Sequence, residues 1–85
     1  MPADSLVLER SARKRLLKLP INVHKRIVTA FEVIQKNPLV GEKLYEELRG
    51  YFKLRLGDYR IVYSYDKKTS TVQVIKIEHR QGVYK

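Results

Sequence analysis

The run Tyr51-Phe52-Lys53-Leu54-Arg55-Leu56-Gly57-Asp58-Tyr59-Arg60-Ile61-Val62-Tyr63 carries a period of two. Phe52, Leu54 and Leu56 interleave with Lys53 and Arg55, and Tyr59, Ile61 and Tyr63 interleave with Arg60 and Val62, which is the pattern of two strands each buried on one face. Gly57-Asp58 suits the two-residue loop between them, since glycine accepts the positive φ that such a turn requires. A loop of that length sets Leu56 opposite Tyr59, Arg55 opposite Arg60 and Leu54 opposite Ile61. The apolar side chains then share one face, and Lys53, Arg55 and Arg60 share the other. Like charges directly opposed across a ladder cost stability, so an anionic ligand is expected on the cationic face.

Beyond this hairpin, Tyr65 continues the alternation, Asp66 to Ser70 form a polar loop, and Thr71 to about Glu78 read as a last strand. Ile61 set beside Ile77 would bring Lys76, Glu78 and Arg80 onto the cationic face, with Glu78 near Arg60. The segment Val72-Gln73-Val74-Ile75-Lys76-Ile77 is partly apolar on both faces, however, and a slip of one residue would turn every side chain over. Both registers are open. Glu78 reads first as a salt bridge that steadies an arginine and second as a catalytic carboxylate.

Toward the N-terminus the period changes. Leu6, Val7 and Leu8 form a short apolar run that suits an edge strand, and Ser11 is a good N-cap for a short helix carrying Ala12, Leu16 and Leu17. Leu19-Pro20 ends that helix. From about Asn22, the residues Val23, Ile27, Ala30, Phe31 and Ile34 recur at helical spacing until Asn37-Pro38, where proline disfavours a helical predecessor. The two helices form a hairpin whose outer face carries Arg13, Lys14, Lys18, Lys25 and Arg26, read as a solvated surface ahead of a nucleic-acid surface. Val40 to Leu48 hold no period and read as a connection with one helical turn. The expected fold is α+β, in the order β-α-α-β-β-β: a small antiparallel-rich sheet with a helical hairpin on one face.

Composition narrows the function. A chain of 85 residues suits one core and one domain, over residues 1–85. With 44% hydrophobic and 32% charged residues it reads as an ordinary globular domain rather than a disordered tail. The absence of cysteine excludes disulfides, thiolate metal sites and thiol nucleophiles. Neither a signal peptide nor a membrane-length apolar run is present, so the cytoplasm is the expected compartment and no membrane partner is expected. The formal charge of +9, from 18 Lys and Arg against 9 Asp and Glu, favours a polyanionic partner such as RNA, DNA or an acidic protein.

The candidate chemistry lies on the cationic face and at the chain's end. Lys53, Arg55, Arg60, Arg80 and Tyr84 supply phosphate donors and a ring that can stack on a base or move a proton, and Lys76 and His79 are further candidate RNA or phosphate contacts. For His79 a structural or RNA-contact role ranks ahead of acid–base work. The carboxylates are scattered, and His24 and His79 lack a shared metal spacing, so neither a metal nor any other cofactor is expected. No Ser/His/Asp or Cys/His constellation points to acyl transfer. RNA can be cut without metal, because its 2′-OH attacks the adjacent phosphorus while a base, an acid and cations assist. Lys and Tyr titrate near pH 10 in isolation, and neighbouring cations push such a value down.

The segment from Tyr51 to Tyr63, followed by Glu78-His79-Arg80-Gln81-Gly82-Val83-Tyr84, resembles the RelE toxins of the RelE/ParE superfamily. The opening strand, the Ala12-Arg13-Lys14-Arg15-Leu16-Leu17-Lys18-Leu19-Pro20 helix and the second helix are similar too. The resemblance implies a RelE-like fold and ribosome-dependent, metal-free cleavage of mRNA in the ribosomal A site by 2′-OH attack. It further implies that Lys53 matches a lysine proposed as general base and Arg60 an arginine on the scissile phosphate. Arg80 would stabilise charge or protonate the leaving oxygen, and Tyr84 would stack on a base or transfer a proton; Lys53 and Tyr84 both stand as the base. Arg55 departs from the lysine of well-known members, which keeps a phosphate contact but rules out proton transfer there. The Arg80 to Tyr84 spacing is shorter than in some members, which bears on the equivalence of Arg80. Implied partners are a cognate acidic RelB-like antitoxin and the ribosome with its mRNA and rRNA, with no small-molecule ligand. Two rivals stand beside this reading: the ParE branch, which poisons DNA gyrase without nuclease activity, and a basic nucleic-acid-binding domain without activity.

Overall fold

A computed structural model of the chain describes residues 2–79. It contains β1 (Ser5–Leu8), α1 (Arg10–Lys18), α2 (Ile21–Lys36), β2 (Glu42–Lys43), a 3₁₀ turn (Glu46–Leu48), β3 (Tyr51–Leu56), β4 (Tyr59–Asp66) and β5 (Thr71–His79). The strands form one sheet in the order β1-β5-β4-β3-β2. Ala12 and Leu16 of α1 and Ile27, Ala30, Phe31 and Ile34 of α2 pack with Phe52, Ile61, Tyr63, Val72, Val74 and Ile77 of the strands in one buried cluster. Both helices therefore cover the same face, and the other face is left for a site.

The central hairpin has the register set by its loop: Leu54 pairs with Ile61, Arg55 with Arg60 and Leu56 with Tyr59. Of the two loop residues only Gly57 takes a positive φ, +60°, as the first position of a type II′ turn demands. The Arg26 guanidinium of α2 closes over this tip, 3.0 Å from where a Cβ on Gly57 would lie. Arg26 is thus drawn off the outer helical face toward the hairpin.

The α+β fold with an antiparallel-rich sheet is as expected, its one parallel pair being β1 beside β5, with Leu6 next to Val72 and Leu8 next to Val74. Several finer expectations are corrected. The connection after α2 contains, besides the expected helical turn, a fifth strand of two residues, too short to leave a period in the sequence; Glu42 pairs with Lys53 and Lys43 with Phe52. Ser11 is not the cap of α1, which starts two residues earlier than that cap would set it, with Glu9 at the N-cap. The Glu9 N–H donates to the Val74 carbonyl at 2.9 Å and its own carbonyl receives the Arg13 N–H at 2.9 Å, so the strand hands the chain directly to the helix. Leu17 is no core residue either: it lies 100° round the helix from Leu16 and is 69% exposed.

Of the two registers open for β5, the structure has Ile61 beside Ile77, Arg60 beside Glu78 and Val62 beside Lys76. The slip is real but local. Between Val62 and Tyr63 the partner advances from Lys76 to Val74, leaving Ile75 as an extra residue. That bulge lets Val72, Val74 and Ile77 all face the helices, and it explains why the segment is apolar on both faces.

Candidate nucleic-acid interface

The solvent-facing side of β3, β4 and β5 holds a groove of about 310 Å³. Its charged half is made by Lys53, Arg60, Lys76 and Glu78, and its apolar half by Leu44, Leu48, Tyr51, Val62 and Ile75. Strand alternation sends Tyr51, Lys53 and Arg55 outward from β3, and Arg60 and Val62 from β4.

Carboxylates order the cations. Arg60 Nε lies 3.1 Å from Glu78 Oε1, and Lys76 Nζ lies 3.4 Å from Glu78 Oε2, so one carboxylate bridges two cations. The Arg60 Nε is buried and, among the described residues, has no hydrogen-bond acceptor in line, so its contact with Glu78 is one of charge alone. Lys53 Nζ lies 3.7 Å from Glu42 Oε1, a contact that exists because β2 pairs Glu42 with Lys53. The Lys53 and Arg60 side chains are only 23% and 20% exposed, against 53% for Lys76. The first two sit in the groove, and the third stands at its rim.

Other expected site residues are placed differently. Arg55 lies opposite Arg60 near the hairpin tip and is exposed. His79 pairs with Tyr59 and meets its ring edge-on, with centroids 4.7 Å apart. Since Ile77 faces the helices and Glu78 the groove, alternation turns His79 away from Lys76 and Arg60. Arg80 and Tyr84 lie outside the described residues. His24 sits with Nδ1 3.2 Å from the Leu16 carbonyl oxygen, tying α2 to the end of α1.

The groove's wall depends on a residue that alternation alone marks as core. Tyr63 is fully buried and stacks on Phe52 with ring centroids 5.2 Å apart. Its hydroxyl donates to the Pro38 carbonyl at 2.8 Å and accepts from the Gly41 N–H at 2.9 Å. It thereby holds the segment that leads into β2, Glu42 and Leu44. Burial pushes the Tyr63 phenol above the ordinary tyrosine range, with the Gly41 N–H opposing. Gly41 is required by this closeness, since a Cβ there would lie 2.8 Å from the Tyr63 hydroxyl and 3.0 Å from the Lys53 carbonyl oxygen.

A sheet backed on one face by a helical hairpin and open on the other is the fold of the solved RelE toxins. The family model described as "ParE toxin of type II toxin-antitoxin system, parDE" matches residues 6–84, and this chain belongs to that RelE/ParE superfamily of type II toxins. Toxin RelG of Mycobacterium tuberculosis is 38% identical over 77 residues, covering 88% of each chain. Toxin RelE of the same organism is 30% identical over 82 residues, covering 94% of this chain and 84% of the relative. The crystal structure of the M. tuberculosis toxin–antitoxin complex RelBE2 has a chain that superposes with a TM-score of 0.85 at 35% identity, covering 94% of this chain and 93% of that one. The E. coli RelBE complex shares the fold, with a TM-score of 0.77 at 21% identity, covering 87% of this chain and 93% of that one.

Proposed function

We propose that this toxin is a metal-free endoribonuclease that cuts mRNA in the ribosomal A site and so stops translation. The observation that carries the reading is the convergence of Lys53, Arg60 and Lys76 on one groove, with Lys53 and Arg60 mostly withdrawn from water. Cations in such a setting act on a phosphodiester more strongly than they would in bulk solvent. Similarity to RelG and RelE of M. tuberculosis supports the same assignment.

In the proposed reaction the 2′-oxygen attacks the adjacent phosphorus, its proton passes to a base, and the 5′-oxygen of the next nucleotide leaves with a proton from an acid. The products are a cyclic phosphate and a free 5′-hydroxyl. Arg60 binds the scissile phosphate and offsets the charge that grows on its oxygens. Lys53 or Tyr84 takes the 2′ proton, Arg80 stabilises or protonates the leaving oxygen, and Arg55 and Lys76 contact the RNA. Lys53 lines the groove together with Arg60, which supports it as one of the two candidate bases. A cognate acidic antitoxin of the RelB type, as in the RelBE2 complex, would neutralise the cationic surface.

The test is incubation of the purified protein with mRNA-programmed bacterial ribosomes, with RNA ends mapped at nucleotide resolution and naked mRNA alongside. Cuts confined to the decoding site, abolished in Lys53→Met and in an Arg80→Ala, Tyr84→Phe double variant, are expected. The ParE wording of the matching family favours a second reading, inhibition of DNA gyrase without cleavage. Intact mRNA together with blocked supercoiling by a folded protein would establish that reading instead.

A further inference from the structure

The groove's apolar half has no part in the phosphate chemistry, yet it is built with some care. Val62 lies on the face that neither helix covers, and it is nevertheless only 7% exposed. Leu44, Leu48 and Tyr51 line the same groove. So does Ile75, the extra residue of the β5 bulge, set among the groove residues with Lys76. A regular β5 would give this face alternate residues only, and the bulge adds an apolar one next to the cations.

We propose that this half of the groove is a seat for one unstacked nucleobase of the RNA, that of a nucleotide flanking the scissile phosphate. The inference rests on the ribonuclease reading. A nucleotide joins an anionic phosphodiester to a planar, uncharged ring, and the groove sets Lys53, Arg60 and Lys76 in one lining with the apolar residues and Tyr51. RNA readers take splayed-out bases on aromatic and apolar side chains in this way, while phosphate contacts supply register. Tyr51 and Ile75 are therefore specificity-determining residues, and they discriminate at the base rather than at the phosphate.

The test is a double-mutant cycle on programmed ribosomes. One arm carries an abasic ribonucleotide on either side of the cut; the other carries Tyr51→Ala, with Tyr51→Phe as the variant that keeps the ring. Loss of a base–aromatic contact lowers single-turnover cleavage roughly 5- to 150-fold. The seat requires that base removal and Tyr51→Ala each produce such a loss, that the two together lose little more than either alone, and that Tyr51→Phe stay near the parent. Should Tyr51→Ala fail to fold, Ile75→Ala completes the cycle. Additive losses, or cleavage indifferent to the missing base, overturn the seat while leaving the nuclease standing. Unchanged cleavage with weakened neutralisation by the cognate antitoxin gives the groove to a protein segment and also overturns it. If the unmodified protein cuts no mRNA, the ribonuclease reading fails and takes the seat with it.

Discussion

Replacing Tyr63 by Phe removes one oxygen atom from the centre of the protein. The ring remains stacked on Phe52, so the change isolates the two hydrogen bonds that join β4 to the segment leading into β2. Each such bond contributes about 1 kcal/mol net, and a buried partner left unsatisfied costs about 1–3 kcal/mol. Pro38 is fully buried, whereas Gly41 is partly exposed and can recover some hydration. The expected loss is about 2–3 kcal/mol, equivalent to a fall in Tm of roughly 10–20 °C for a domain of this size. Urea and thermal melts of the two proteins measure it. A Tm shift of under about 3 °C would refute the reasoning, because the hydroxyl would then be worth less than one net hydrogen bond.

The same residue gives a pH dependence. Its folded pKa lies above the unfolded value of 10.0, so the stabilisation is complete below that value and is lost as pH rises toward and through the folded pKa. Alkaline unfolding should therefore be steeper in the parent than in Tyr63→Phe, by up to about 1.4 kcal/mol per pH unit. Gly41→Ala drives a methyl group against the Tyr63 hydroxyl and the Lys53 carbonyl and should cost about 1–3 kcal/mol in urea melts, less when combined with Tyr63→Phe. Glu78→Ala leaves Arg60 and Lys76 without their shared carboxylate; a loss of up to about 1 kcal/mol at low salt, shrinking at high salt, is expected, and a loss independent of salt would argue against the bridge. Lys53→Met should abolish cleavage while shifting stability by under about 0.5 kcal/mol, since its ion pair with the largely exposed Glu42 is worth little.

What the sequence makes legible depends on how far a pattern extends. The β3–β4 hairpin is written in thirteen consecutive residues, two of them its loop, and its register follows with no choice left. α2 is legible because five apolar residues repeat at helical spacing. β2 leaves no trace: two residues cannot show a period, and the segment before them is anchored by Tyr63 from 22 residues away. Ser11 misleads because capping preference is local, while the start of α1 is fixed by the Glu9 N–H bonded across to β5. The convergence of Lys53 and Arg60 follows from alternation. The apolar half of the groove does not, since Leu44 and Leu48 come from the patternless connection and Ile75 from a bulge. The visible signal was Val74-Ile75, two apolar neighbours where alternation asks for one.

The distribution of carboxylates around the groove points to how such a cation cluster is tolerated. Arg55 and Arg60 face each other across the ladder, and Lys76 stands one strand away, an arrangement that repels itself before any ligand arrives. Glu78 is shared between two of these cations and Glu42 stands by Lys53, so the acids offset part of that repulsion in the absence of an anion. Their hold is weak by construction. At Nε, Glu78 meets Arg60 without an aligned hydrogen bond, and it divides its two oxygens between Arg60 and Lys76. The same economy applies to an antitoxin: an acidic segment need only add charge to a surface whose folding does not depend on it.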